Sequence, residues 1–224
     1  MEFLLSIETS TKNCSVALFN NNKLISFKEK FSERYSHAEN TISFIKETLS
    51  IAEIDFSDLD AIVLSKGPGS YTGIRIGTSI AKGLSYSLNI PLISVSTLKA
   101  MAYAVAKRYN YNLFCPMIDA RRMEVFSALY DKENNNIREV QADVVSATTY
   151  DDFLKEKVVF FGDGALKCKE IINNSNAIFI DDILPSAKDM GEIANNKYLL
   201  QDFEDVAYFE PFYLKEFVGI IRGN

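Results

Sequence analysis

The residue pattern predicts an α/β protein in which a mixed sheet of order βββαβαβα carries helices on its faces and is followed by a second, eroded copy of the same opening. Three observations predict it. Short strand-like runs alternate with helical periodicity through residue 106. Two of those runs, AIVLS at 61–65 and LISV at 92–95, are almost wholly apolar, as expected of strands buried on both faces. Residues 118–131, IDARRMEVFSALYD, align without gaps to residues 7–20, IETSTKNCSVALFN, with Ile, Ala and Leu identical and Asp119 opposite Glu8.

Taken in order, residues 4–8 and 15–19 are short apolar runs, and Asn20, Asn21 and Asn22 supply a turn before residues 24–31, giving a first strand and a hairpin. Ser36 with Glu39 forms a capping box, and Ala38, Ile42, Ile45, Leu49 and Ala52 fall on one helical face. The 61–65 strand ends in Gly67-Pro68-Gly69, which turns the chain into a second helix. After the 92–95 strand, Ser96 or Thr97 caps a third helix reaching Ala106. Beyond the repeat, Asn134 to Asn136 precede a β-rich run at 137–145. Residues 148–154 then read as a short helix, 158–161 as a strand entering Gly162-Asp163-Gly164, and 187–199 as a last helix. No Gly/Ser- or Pro-rich linker divides the halves, so a packed seam or a strand-to-strand crossover is expected near residues 107–112. It separates a first lobe, 1–107, from a smaller second lobe, 108–224, whose C-terminal segment is expected to pack back on the first.

Charge and composition exclude several classes. The chain of 224 residues is 47% hydrophobic, enough for a sizeable core, and its net charge of −6 opposes broad contact with a polyanion. A role on RNA would therefore require a partner. MEFLLSIETS is too short an apolar run, broken at Glu8, for a signal peptide or a membrane span, and the expected location is cytoplasmic. Cys14, Cys115 and Cys168 form no CxxC pair and are expected to be buried thiols. His37 is the only histidine, which leaves a two-histidine zinc protease unsupplied; its place at the start of a capped helix predicts exposure.

Two motifs invite chemistry. Gly67, Pro68, Gly69 and Gly73 surround a strand-to-helix turn whose free N–H groups could receive a phosphate, but Ile74 and Arg75 stand where a P-loop needs Lys and Ser/Thr. In the helix beyond, Gly73, Gly77 and Ala81 form a stripe of small residues. Glycine within a helix costs roughly 0.5–1 kcal/mol, so Gly77 and Gly83 call for a compensating close approach, either internal or to another protein. Glu8, followed by Thr9, Ser10 and Thr11 at a strand end, reads either as a metal–phosphate turn or as an ordinary turn.

SKGPGSYTGIRIG, residues 65–77, resembles the GPGSFTGLRIG-type segment of the TsaB family, also called YeaZ. IETSTKNCSVAL, the lone His37, PLISVSTLKAMA, IDARRMEVFSALY and EPFYLKEF agree in the same order along nearly the whole chain. The resemblance implies a two-lobed actin-like ATPase (ASKHA) fold with a reduced second lobe. It also implies a non-catalytic partner of the related subunit TsaD, which works with TsaE to form N6-threonylcarbamoyladenosine at position 37 of tRNAs reading ANN codons. TsaD would bind the ATP and the metal; this chain would require neither and meet tRNA only through the complex, with a nucleotide at the subunit junction left open.

In TsaD relatives a metal-binding His-x-x-x-His lies on the helix where this chain has Thr97 and Met101, a poor donor pair for such a cation. The family's association through first-lobe helices makes His37, Ile45, Gly73, Gly77, Ile80 and Leu84 interface candidates. The same patch could form a homodimer in isolation. Arg121 and Glu124 are candidates at the lobe junction or a partner, and Glu8, Thr9, Ser10 and Thr11 for nucleotide contact. The alternative within this fold is an ATP-dependent kinase of a small metabolite using Glu8 and Asp119.

Overall fold

Apolar runs separated by Asn and Gly turns build two five-stranded mixed sheets in the computed structural model, which describes residues 2–32 and 37–214. The first contains β1 (Phe3–Glu8), β2 (Asn13–Asn20), β3 (Lys23–Phe31), β4 (Ala61–Ser65) and β5 (Leu92–Val95). Its order is β3-β2-β1-β4-β5, with β1, β4 and β5 parallel and the β1–β2–β3 meander antiparallel. Helices α1 (His37–Ile51), α2 (Tyr71–Leu88) and α3 (Thr97–Ala106) are inserted between its strands or follow them.

The second sheet repeats this topology. It contains β6 (Leu113–Asp119), β7 (Glu124–Asp131), β8 (Asn136–Val144), β9 (Val158–Phe161) and β10 (Ala177–Ile180), in the order β8-β7-β6-β9-β10. β7 begins and ends 111 positions after β2 (124 − 13 and 131 − 20), so the ungapped sequence match is a match of strand registers. The last helix is α4 (Gly191–Leu199).

Two expected helices differ. Residues 148–154 form successive turns: Ser146 N–H donates to Thr149 Oγ1 at 2.8 Å, and short polar side chains of this kind compete with helical hydrogen bonds. Residues 187–199 divide into a 3₁₀ turn, Ala187–Asp189, and α4, whose first residue, Gly191, sits where any Cβ would overlap the Phe19 ring. Strand β10, four half-buried residues after an Asn-rich turn, is too short to announce itself by periodicity.

The cores explain how the elements stack. Leu5, Ile7, Val16, Leu18 and Leu64 meet Ile45 and Leu49 of α1 and Ala81 of α2 on one face of the first sheet. On its other face, Leu4, Val63 and Ile93 meet Ala100 of α3 together with Ala187, Met190 and Ala194. Helix α3 turns Leu98, Met101 and Val105 the other way, onto Phe114, Ile118 and Phe126 of the second sheet. It is thus the wedge between the sheets, and the chain returns after β10 to cover the first. No helix among the described residues is long and apolar enough to cross a membrane.

Candidate partner-binding site

The acid–hydroxyl turn at the end of β1 is closed. Glu8 is 1% exposed, and Thr9, Ser10 and Thr11 are buried beside it. Ser10 N–H donates to Glu8 Oε1 at 2.6 Å, and burial nevertheless pushes the Glu8 carboxyl above its usual range, against the hydrogen bonds from Ser10 and Ser65. The lid is the glycine segment itself: Ser70 N–H donates to the Ser10 carbonyl at 2.6 Å, Thr9 Oγ1 donates to the Gly73 carbonyl at 2.8 Å, and a Cβ at Gly69 or Gly73 would overlap the Ser10 or Thr9 carbonyl oxygen. The glycine turn and the first turn of α2 thus pack directly onto Thr9 and Ser10. Glu8, Thr9, Ser10 and Thr11, the nucleotide-contact candidates, thus lie in a buried internal joint.

The small-residue stripe serves that joint. Gly73 and Gly77 are buried, and a Cβ at Gly77 would overlap Thr9 Oγ1 and stand 3.3 Å from Leu64 Cδ1. Their close approach is internal, to Thr9 just after β1, to His37 and to Leu64 of β4. Gly83 has no neighbour for a Cβ within 4 Å and needs no such contact. His37 is likewise inward, 2% exposed, with its ring against Gly73 and the Thr11 backbone; burial pushes its imidazole below the usual range. Its predicted exposure fails because α1 begins on top of the β1–β2 turn. Ser36, the expected cap, lies outside the described residues, as do 215–217 of EPFYLKEF.

With the glycine stripe turned in, the opposite flank of α2 faces out. Helix α1 supplies Ala38 and Ile42, and α2 supplies Tyr71, Thr72, Arg75, Ile76, Ser79 and Ile80, to an open groove of about 580 Å³. Ile42 is 42% exposed although it shares a helical face with the core residue Ile45. Of the remaining interface candidates, Ile80 lines the groove, Ile45 is 1% exposed in the first core and Leu84 is half-buried against it. The structure thus adds Ala38, Ile42, Thr72, Arg75 and Ile76. The available signal was Ile76 and Ile80, an i, i+4 pair lying off the glycine stripe.

In the second half, Asp119 ends β6 as Glu8 ends β1, but it is exposed and paired with Lys167. Arg121 and Arg122 occupy left-handed conformations in the β6–β7 turn, and Glu124 N–H donates to the Arg121 carbonyl at 3.1 Å. Thr97 and Met101 are core residues, 0% and 1% exposed; Thr97 Oγ1 and Ser65 Oγ share a 2.6 Å hydrogen bond. Between the returning chain and the first sheet, burial raises Asp189 to about 6; Arg108 and Lys188 oppose this, while Glu29 and Glu8 add to it. A carboxyl raised on folding stabilises the fold only while protonated. Its contribution is fully present below the unfolded value near 3.8 and is lost as pH rises to about 6. Denaturant titrations at pH 4.5 and 7 are expected to show a smaller pH-dependent fall in stability for Asp189→Asn than for the native chain; parallel behaviour would contradict the assignment.

Comparison with known proteins agrees with this architecture. A model of the TsaD family, tRNA N6-adenosine threonylcarbamoyltransferase, matches residues 32–219. The "tRNA threonylcarbamoyladenosine biosynthesis protein TsaB" of Escherichia coli is 30% identical over 96% of both chains, and that of Bacillus subtilis is 33% identical over 76% of this chain and 75% of its own. The solved structure of YeaZ from Pseudomonas aeruginosa superposes with a TM-score of 0.84 at 25% identity, covering 96% of this chain and all of that one. Two sheets of identical strand order, with helices, form the α/β actin-like ATPase fold. The chain belongs to the TsaB (YeaZ) family, within the wider group that the TsaD model describes.

Proposed function

We propose that this chain is a non-catalytic partner of a TsaD-like transferase subunit, and that it supports formation of N6-threonylcarbamoyladenosine at position 37 of tRNA without contributing a reacting group. The observation that carries the reading is the largely apolar groove that α1 and α2 form among the described residues, on a lobe whose own acid–hydroxyl turn is sealed. The partner would hold the ATP and the metal, TsaE would join the pair, and tRNA would be met through the complex. A nucleotide at the subunit junction is compatible with this arrangement, as is a homodimer through the groove when the partner is absent.

A kinase of this fold needs a strand-end carboxylate open to a metal–phosphate group, and Glu8 at 1% exposure disfavours it. The reading is tested by reconstituting the transferase, TsaE, threonylcarbamoyl-adenylate, ATP and tRNA with and without this chain. Modification is expected to depend on the chain, and the chain alone is expected to release no ADP above background. Ile76→Asp should weaken the complex at least about 30-fold, since interface hot spots of this kind are worth about 2 kcal/mol or more. Equal product in both reactions, with no complex on a sizing column, would refute it.

A further inference from the structure

The described lining of the groove is mainly apolar, with Thr72 and Ser79 as uncharged polar residues. Arg75 is the only charged residue among the described residues that line it. Its guanidinium is already positioned: an Nη1–H donates to Tyr71 Oη at 2.9 Å, and Cζ lies 5.2 Å from the centroid of the Tyr71 ring. The Tyr71 ring packs against Tyr213, centroids 5.0 Å apart, and the neighbouring Phe212 N–H donates to the Lys66 carbonyl at 2.8 Å. Lys82 Nζ holds the same C-terminal stretch through the Ala207 and Phe209 carbonyls, both at 3.1 Å. The ion pairs among the described residues involve other side chains; none gives Arg75 a carboxylate.

We infer that Arg75 is the polar anchor of this groove and that the partner covering it brings an Asp or Glu carboxylate to the guanidinium. The inference rests on the reading of the groove as the partner face. Covering Ile42, Ile76 and Ile80 with apolar surface removes water from the neighbouring guanidinium, and a desolvated cation without a counter-charge opposes binding strongly. A planar guanidinium held in advance by Tyr71 presents its remaining N–H donors in the geometry a carboxylate accepts, with less conformational freedom left to lose on docking. A second copy of this chain is the poorer occupant, because the described lining of its groove offers another Arg75 and no acid. The occupant that fits is a different chain whose docking face carries an acidic side chain among apolar ones.

The test is a titration of the full chain with the TsaD-like subunit, using Arg75→Glu, Arg75→Met, Arg75→Lys and Ile76→Asp, with the thermal midpoint of each free variant checked first. Arg75→Glu is expected to weaken binding at least about 30-fold, as loss of one member of a desolvated charge pair does, with Arg75→Lys intermediate between it and the native chain. Replacing interface carboxylates of the partner by Lys, one at a time, should identify one position at which the Arg75→Glu complex regains at least about tenfold, the signature of a direct pair. If Arg75→Glu binds within about threefold of the native chain while Ile76→Asp still abolishes binding, the anchor is wrong and the partner face stands. If Ile76→Asp also binds normally, the partner face itself is wrong. Tighter self-association of Arg75→Glu, without effect on the partner, would make a second copy the occupant and overturn the inference.

Discussion

Asp143→Ala is expected to lower the unfolding free energy by about 3–5 kcal/mol, the cost of stranding one member of a buried ion pair. Asp143 at the end of β8 is 9% exposed and gathers a network inside the second lobe. Arg138 Nη2 donates to its Oδ2 at 2.5 Å, Tyr150 Oη donates to the same oxygen at 2.9 Å, and Ser127 Oγ donates to it as well. The Arg138 guanidinium also lies 5.1 Å from the centroid of the Tyr150 ring. Removing the carboxylate leaves a cation, a phenol and a hydroxyl facing one another with no counter-charge and only the Ser127 and Tyr150 oxygens as acceptors. Through Ser127 and Tyr150 the network ties β8 to β7 and to the turns at 146–155, so the loss should appear as a lower denaturant midpoint and as faster hydrogen exchange in those strands. A change below about 1 kcal/mol would show that the network contributes little.

Two alanine substitutions in α2 should move stability in opposite directions. Gly73→Ala is expected to destabilise by about 3 kcal/mol, the upper part of the overpacking range, because the new Cβ meets the backbone oxygen of Thr9, which cannot swing aside, and stands 3.1 Å from His37 Cδ2. Gly83→Ala lies in the same helix with no atom within 4 Å of the new methyl and should stabilise by roughly 0.5–1 kcal/mol. Urea denaturation of the two variants beside the native chain measures the difference. Equal effects would mean that the contact between α2 and the β1–β2 turn does not restrain the fold. The contrast also has a functional side: Gly73 seats the helix that presents Arg75 and Ile76, so Gly73→Ala should weaken partner binding as well, whereas Gly83→Ala should not.

How far the sequence reaches is seen best in α2. The period of its small residues was legible, and so was the need for a close contact at Gly77. Which surface received that contact was not, because α2 has two apolar flanks: Gly73, Gly77 and Ala81 on one, Ile76 and Ile80 on another. Periodicity reports that a flank is apolar without saying what lies against it. The same limit applies to α1, where Ile42 and Ile45 share a broad face but only Ile45 reaches the core. His37 shows the converse. Polar character and a helix-start position suggest exposure, yet the β1–β2 turn lies directly beneath it.

Local chemistry alone determined β4, β5, α3 and β9, whose limits are set by uninterrupted apolar runs and by capping or turn residues, and it determined the ungapped register that relates β2 to β7. The family-specific segment at 65–77 was equally legible. Only the tertiary structure decided that this segment is a lid pressed on the Glu8–Thr11 turn, that Thr97 and Met101 lie in the core, and that Arg75 is the one charge among the described residues lining a mainly apolar groove. The physical reason is that strand and helix formation follow from neighbours along the chain, whereas burial, and with it the choice between a ligand site and a packed joint, depends on residues tens of positions away.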